Sequence, residues 1–446
     1  MTKIFAVLLM LSVVGSVFAQ NQVDNSSRAK TFIDALGVKD FAAAYNFFTD
    51  EIKTQLPVEA MPQIWQQNTQ QLGGFKSQGK ITKTAIPTGE KISTICEFEK
   101  GSIAISTAFD KNGKIQGFFF EDSQASGDEP LEYKTPKYAD IDSFTETETT
   151  VGAGEWTLPA TLTMPKGKTN VPAIVLVHGS GPNDRDETLG GNKVFKDLAW
   201  GLASRGIAVL RYEKRTRQYG AKLAAVKNFT VKEETVDDAV LAAQLLMRTP
   251  NVNARKVFVL GHSLGGYLIP RIGERDETIA GFISLAGATR PLEDVIPEQY
   301  AYIFGLDGAI APAEQTQIDE VKKVSAKIKS LKEADRASGE FYFGAFAPYY
   351  LDLQNYDPPK VAVKLKQPML ILQGESDYQV TMKDFANWKN ALGARKNVAF
   401  KSYPKLTHIF METTGDKPSP KDYEKVAHVN AQVVGDIADW ILKTAK

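Results

Sequence analysis

Residues 261–266 read Gly-His-Ser-Leu-Gly-Gly and follow directly on the apolar run Val257-Phe258-Val259-Leu260. A serine with glycine two residues to either side suits a sharp strand-to-helix turn. Neighbours without side chains let the backbone fold back on itself. Such a turn lifts the Ser263 hydroxyl above a sheet and aims the Leu264 amide at the same space. The chemistry this arrangement suits is nucleophilic attack on an acyl carbon. Serine is a poor nucleophile at its free pKa, so a base must stand beside it, and histidine is the usual one.

The chain has only four histidines, so the base can be sought by elimination. His262 adjoins the nucleophile, and its side chain is expected to diverge from the hydroxyl. His178 ends an apolar run and opens His-Gly-Ser-Gly-Pro, where bracing a loop suits it better than proton transfer. His428 falls in an amphipathic helix expected over 421–442. His408 remains, in a loop just after the last apolar run. A base of this kind needs a carboxylate to fix its tautomer and stabilise the imidazolium. Asp377 lies in the loop beyond the apolar run 369–372 and is preferred over its neighbour Glu375. Acyl transfer also develops an oxyanion, which backbone amides can hold. The Leu264 amide is one candidate donor, and Ser180 in the loop 178–182 supplies the other. Asp184, Arg185 and Asp186 crowd charge beside that loop; bracing by ion pairs is favoured over orienting a substrate. The residues that contact substrate are not legible.

Chemistry at three distant loops requires a scaffold that brings strand ends together. Short continuous apolar runs at 173–178, 207–211, 257–260, 279–285, 369–372 and 398–403 read as strands buried on both faces. Helical spacing lies between them, at 195–205, 231–247, 265–275, 383–392 and 421–442. This alternation predicts an α/β fold, a mostly parallel sheet with helices on both faces, and functional residues beyond the carboxyl ends of its strands. Two alternating strands, 143–151 and 157–163, precede it. Residues 288–358 interrupt the pattern and read as a helical cap insertion with an aromatic cluster at 341–350. Pro270 falls inside the helix after Ser263 and should kink it.

Upstream the grammar differs. Helical spacing at 26–36, 40–48 and 61–72 gives way to period-two strands at 80–85, 91–98, 101–109 and 114–120, with a hairpin signal at Asn112-Gly113. Helices followed by antiparallel strands predict a small α+β domain at 22–125, a linker near 122–130, and a second domain at 131–446. Lys3 and the apolar stretch 4–17 end in Val17-Phe18-Ala19, which reads as a signal peptide over 1–19 and predicts export to the periplasm or beyond. Cys96 is the only cysteine and sits in an apolar strand, so neither a disulfide nor a cysteine metal site is expected. Lys+Arg and Asp+Glu balance at 53 each, without a basic cluster, which argues against nucleic acid. No later stretch is long and apolar enough to span a membrane. No cofactor and no metal are expected, and a homo-oligomer is compatible with the sequence.

With the ordered set Gly261–Gly265, Asp377 and His408, residues from about 140 to 446 resemble the α/β-hydrolase superfamily, whose members show the chain order Ser, Asp, His. Residues 178–186, His-Gly-Ser-Gly-Pro-Asn-Asp-Arg-Asp, are similar to the oxyanion loop of a bacterial secreted esterase subgroup that often carries an extra N-terminal domain. Gly113-Lys-Ile-Gln-Gly-Phe-Phe-Phe120 resembles a small helical-plus-sheet family of unknown function. The resemblance implies a serine carboxylesterase acting on small-molecule esters with short to medium acyl groups. Two alternatives remain open: a serine peptidase of the prolyl-oligopeptidase-like group, and a binding protein on the same fold.

Overall fold

The computed structural model describes residues 24–446 apart from 70, 71, 87, 88, 123–132 and 225. The expected signal segment 1–19 and nearly all of the expected linker lie outside the described residues. The chain divides into two compact units between Ser126 and Gly127.

In the first unit, α1 (Asn25–Gly37) buries Ala29, Phe32, Ile33 and Leu36, the i, i+3, i+4, i+7 stripe of an amphipathic helix. Asp24 caps it by accepting the Ser26 N–H at 3.1 Å. Three short helices follow: α2 (Phe41–Tyr45), α3 (Asp50–Gln55) and α4 (Met61–Thr69). The strands β1 (Phe75–Ile86), β2 (Gly89–Phe98), β3 (Ser102–Asp110) and β4 (Ile115–Asp122) form one antiparallel sheet in chain order. The β3–β4 turn is where Asn112-Gly113 placed it. Gly113 takes φ 73°, and the Asp110 carboxylate accepts the Asn112 and Lys114 amides at 2.9 and 2.8 Å. Aromatic rings fill the core, Phe32 lying 5.5 Å from Phe48 and 5.6 Å from Phe118. Cys96 is wholly buried there, and burial pushes its thiol up to about 12, so it is inert at neutral pH.

The second unit is built on an eight-stranded sheet. Its strands are β5 (Phe144–Val151), β6 (Leu158–Pro165), β7 (Val171–Val177), β8 (Ala208–Tyr212), β9 (Val252–His262), β10 (Gly281–Leu285), β11 (Met369–Gly374) and β12 (Val398–Tyr403). Their spatial order is β12-β11-β10-β9-β7-β8-β6-β5. All pairings from β12 to β8 are parallel, and β6 and β5 add an antiparallel edge. Alternate strand residues feed opposite cores. Val175, Val177, Val257 and Val259 join one cluster, while Ile174, Leu176, Phe258 and Leu260 join the other. That two-sided burial is why these strands read as unbroken apolar runs. Helices α6 (Asp237–Met247), α7 (Leu264–Arg275) and α11 (Met382–Leu392) cover the first face; α5 (Val194–Ala203) and α12 (Ala431–Thr444) cover the second.

Between β10 and β11 lie α8 (Leu292–Phe304), α9 (Pro312–Ser330), a short hairpin of Phe341–Tyr342 with Ala345–Phe346, and α10 (Ala347–Leu353). Helix α8 was not legible because Pro297 interrupts its pattern. The helix expected over 421–442 needs correcting. A 3-10 turn occupies Pro420–Tyr423, and α12 begins only at Ala431, capped by the Asn430 side chain. Pro270 is accommodated within α7, which runs unbroken across it. Proline cannot donate to the Gly266 carbonyl one turn back, and the Ser284 hydroxyl donates to that carbonyl instead, at 3.4 Å. No helix among the described residues is long and apolar enough to cross a membrane.

Candidate active site

Ser263 sits between the end of β9 and the start of α7 with φ 51° and ψ −112°, a conformation that costs roughly 1–3 kcal/mol for a residue bearing a side chain. The turn closes so tightly that a Cβ on Gly261 would lie 2.3 Å from the Gly265 carbonyl. One on Gly265 would lie 2.4 Å from the Val177 oxygen. Glycine at both positions is therefore a steric requirement of the turn. The Ser263 N–H is held by the Leu285 carbonyl at 3.0 Å, which ties the turn to β10. Leu264 opens α7, and its amide donates to no group among the described residues, as expected for the first turn of a helix.

Asp377 and His408 come from the loops after β11 and β12, adjacent parallel strands. The Glu375 N–H bonds the Tyr403 carbonyl and the Ser376 N–H bonds the Leu406 carbonyl, both at 2.9 Å, which laces the loops together. His408 Nδ1 lies 2.7 Å from Asp377 Oδ2. The other donors to Asp377 are Gln373 Nε2 at 3.0 Å and the amides of Gln379 and Val380 at 2.8 and 2.9 Å. Four donors on one buried carboxylate leave it no freedom to turn. With Nδ1 committed to Asp377, the other ring nitrogen of His408 is the one left for proton transfer. Glu375 is exposed and accepts from Ser402 at 2.7 Å.

Ser263 and His408 line the same cavity of about 670 Å³. Ser263 makes no hydrogen bond to His408 among the described residues, a contact that in hydrolases often tightens only around a substrate. Ser180 lines this cavity as well, as do Phe341, Phe346, Leu292 and Val295 from the segment between β10 and β11. The walls are thus mostly apolar, with polar side chains such as Asn183, Thr216 and Gln299 among them.

The remaining histidines find other partners. His262 Nδ1 lies 2.9 Å from Glu187 Oε2, and its Nε2 lies 3.0 Å from the His408 carbonyl. Its ring packs against that of His408, with centroids 4.7 Å apart. Burial opposes a charge on His262. The Glu187 carboxylate outweighs it, so the imidazole pKa is raised and that of Glu187 lowered. His178 is wedged between Phe195 and Tyr212, and burial depresses it to about 4 against the pull of Glu187. It is neutral and unsuited to act as the base. His428 lies in the loop before α12, not in a helix, and bonds Asp197 at 3.0 Å.

The charges at 184–186 brace the loop, as favoured. Asp184 accepts the amides of Asp186 and Thr188 at 3.1 and 2.9 Å. Arg185 bridges Glu213 and Glu148 at 2.8 and 2.6 Å, and Asp186 pairs with Arg211 and Lys193. Sequence reasoning missed Glu187 and Lys214, both buried beneath this loop. Lys214 follows the apolar run 207–211 at the carboxyl end of a strand, a position that could have marked it. Glu187 left no such signal. Among the described residues no group of three or more His, Cys, Asp or Glu side chains is arranged to hold a metal.

A family profile described as serine aminopeptidase, S33, matches residues 171–414, and one described as a protein of unknown function (DUF3887) matches residues 29–118. Esterase EstD of Thermotoga maritima is 37% identical over 412 residues, covering 92% of this chain and 94% of its own. The acylamino-acid-releasing enzyme of Rattus norvegicus is 25% identical over 261 residues, 57% of this chain and 31% of that enzyme. Among solved structures, Est1E from Butyrivibrio proteoclasticus aligns with a TM-score of 0.43 at 17% identity, over 67% of this chain and 98% of that one. By the extent of the first profile and the identity to EstD, with the parallel sheet and its serine turn, the chain belongs to the serine aminopeptidase S33 family of α/β-hydrolases and is a serine hydrolase of the esterase kind.

Proposed function

We propose that the protein hydrolyses carboxylic esters of small molecules through an acyl-enzyme on Ser263. His408 removes the Ser263 proton as the oxygen attacks the ester carbonyl, and the imidazolium that forms is stabilised by Asp377. The oxyanion is held by the amides of Leu264 and Ser180. The tetrahedral intermediate collapses with cleavage of the carbonyl–alkoxy bond, and His408 passes its proton to the departing alcohol. Water, deprotonated by His408, attacks the acyl-enzyme. A second collapse frees the acid and returns the proton to Ser263. The observation that supports this most is the 2.7 Å His408–Asp377 bond beside a cavity that Ser263 also lines.

Replacing Ser263 with Ala should lower kcat by about 10⁶-fold while leaving the melting temperature near that of the native protein. Turnover of p-nitrophenyl esters, with fluorophosphonate labelling of the folded native protein, measures this. A Ser263→Ala variant that still turns over would overthrow the nucleophile assignment. Cleavage of a peptide amide as efficient as that of the matched ester would move the assignment to a peptidase.

Residues 22–125 and 131–446 are read as separate domains, with 288–358 as a cap over the cavity of the second. Residues 1–19 are read as a signal peptide that directs export. An amino terminus at Gln20 in protein recovered from outside the cytoplasm is the expected result.

A further inference from the structure

Gly179 lies against the nucleophile: a Cβ there would sit 3.1 Å from Ser263 Cβ. Both polar groups of this glycine are gripped by buried charges. Its N–H donates to Glu187 Oε1 at 2.7 Å, and its carbonyl accepts from Lys214 Nζ at 2.7 Å and Asn183 Nδ2 at 3.1 Å. Each charge has its own counter-ion. Glu187 is paired with His262 at 2.9 Å and Lys214 with Glu234 at 3.0 Å. All four residues are buried, and Tyr349 of α10 donates its hydroxyl to Glu234 at 2.7 Å.

Two buried ion pairs under a single glycine call for a reason. Removing four charges from water costs several kcal/mol per ion, and apolar replacements of the same volume are often at least as stable. The peptide geometry supplies the reason. The described chain has no cis peptide, so the carbonyl of Gly179 and the N–H of Ser180 lie in one plane and point in opposite directions. A carbonyl drawn toward Lys214 therefore sets the direction of the Ser180 amide, which donates to no group among the described residues. The ammonium also polarises the peptide it binds and strengthens that N–H as a donor.

We propose that Lys214 and Glu187 are positioning residues of the oxyanion hole, clamping Gly179 from both ends so that the Ser180 amide is aimed at the reacting carbonyl oxygen. The clamp rests on the reading of Ser263 as nucleophile. It spans the strand ends of β8 and β9 and, through Tyr349, the segment that walls the cavity. An oxyanion donor aimed in advance costs no reorganisation in the transition state, which is where such donors contribute most.

The test is the double variant Lys214→Met/Glu234→Gln, which removes the cation without stranding a buried anion. Kinetics are expressed per active site titrated with a fluorophosphonate. The expected result is a kcat lower by about 10–100-fold with KM within about two-fold, somewhat less than the loss of a whole oxyanion donor. A trifluoromethyl ketone, whose serine adduct carries the oxyanion, should weaken by the same factor. Glu187→Gln examines the other end independently, should the double variant fail to fold, and is expected to show the same parallel loss. Unchanged kcat per titrated site, or a raised KM with unaltered ketone inhibition, would sink the clamp. An active Ser263→Ala protein would instead remove the reading beneath it, so the two failures are distinguishable.

Discussion

Two buried imidazole–carboxylate pairs lie side by side, their rings 4.7 Å apart, and they are bonded differently. In His408–Asp377 one nitrogen is held by the acid, and the other carries no hydrogen bond among the described residues. In His262–Glu187 the second nitrogen meets the His408 carbonyl at 3.0 Å. With a carboxylate at one nitrogen and a carbonyl at the other, the charged ring is favoured. The first pair can exchange a proton with a reacting group; the second is a fixed ion pair that ties three loops together. In the proposed mechanism the same kinds of group thus serve as a shuttle or a brace according to what the second nitrogen faces.

Breaking each pair should separate these roles. The largest effect belongs to Asp377→Asn, expected to lower kcat by about 10⁴-fold with little change in stability, because the amide favours the wrong His408 tautomer. By contrast His262→Leu leaves Glu187 buried and unpaired, and should cost about 3–5 kcal/mol in denaturant unfolding. If both variants lost activity equally and neither lost stability, the distinction would collapse.

His178, which has no carboxylate within ion-pair distance among the described residues, sharpens the contrast. Burial holds it near 4, below the unfolded value of about 6.5. The unfolded chain takes up that proton first, so stability should fall by about 3 kcal/mol as pH drops from about 6.5 to 4. His178→Phe should flatten this acid slope, as read from urea midpoints across that range.

The smallest effect concerns the brace alone. His262 is raised, so its contribution is complete below its unfolded pKa of about 6.5 and fades as pH rises through its folded value. Glu187 is lowered, so its contribution is complete above its unfolded pKa of about 4.3 and fades as pH falls through its folded value. The stability difference between the native protein and Glu187→Gln should accordingly be widest between about pH 4.3 and 6.5. A difference that did not vary with pH would contradict the charged pair.

Much of the second unit was legible because its signals are local. An apolar run such as 173–177 needs no partner to declare a doubly buried strand, and Gly261 and Gly265 mark a turn that no larger residue could enter. Elimination among four histidines pointed to His408 for the same reason: the others sat in contexts that disfavoured a base. The failures came where partners are remote. The first part of the expected helix 421–442 is not helical: Ser419 and Asp422 cap only a short 3-10 turn, and the Asp197 carboxylate takes the Val429 amide at 2.8 Å. That contact takes a donor that a helix through residue 429 would have used, from a partner far away in the chain. At Pro270 a hydroxyl from β10 meets the carbonyl that the proline leaves open, another contact from far away in the chain.

Residue order alone determined the strand–helix alternation, the tight serine turn, and the sequence Ser263, Asp377, His408. Each of these depends on the size and polarity of residues within a few positions of one another. Only the tertiary structure decided which nitrogen of which histidine faces an acceptor, and that Gly179 lies between Glu187 and Lys214. Those outcomes depend on where separate strands end in space. Hydrogen-bond direction is set at distances of about 3 Å between groups far apart in the chain, and no periodicity carries that information.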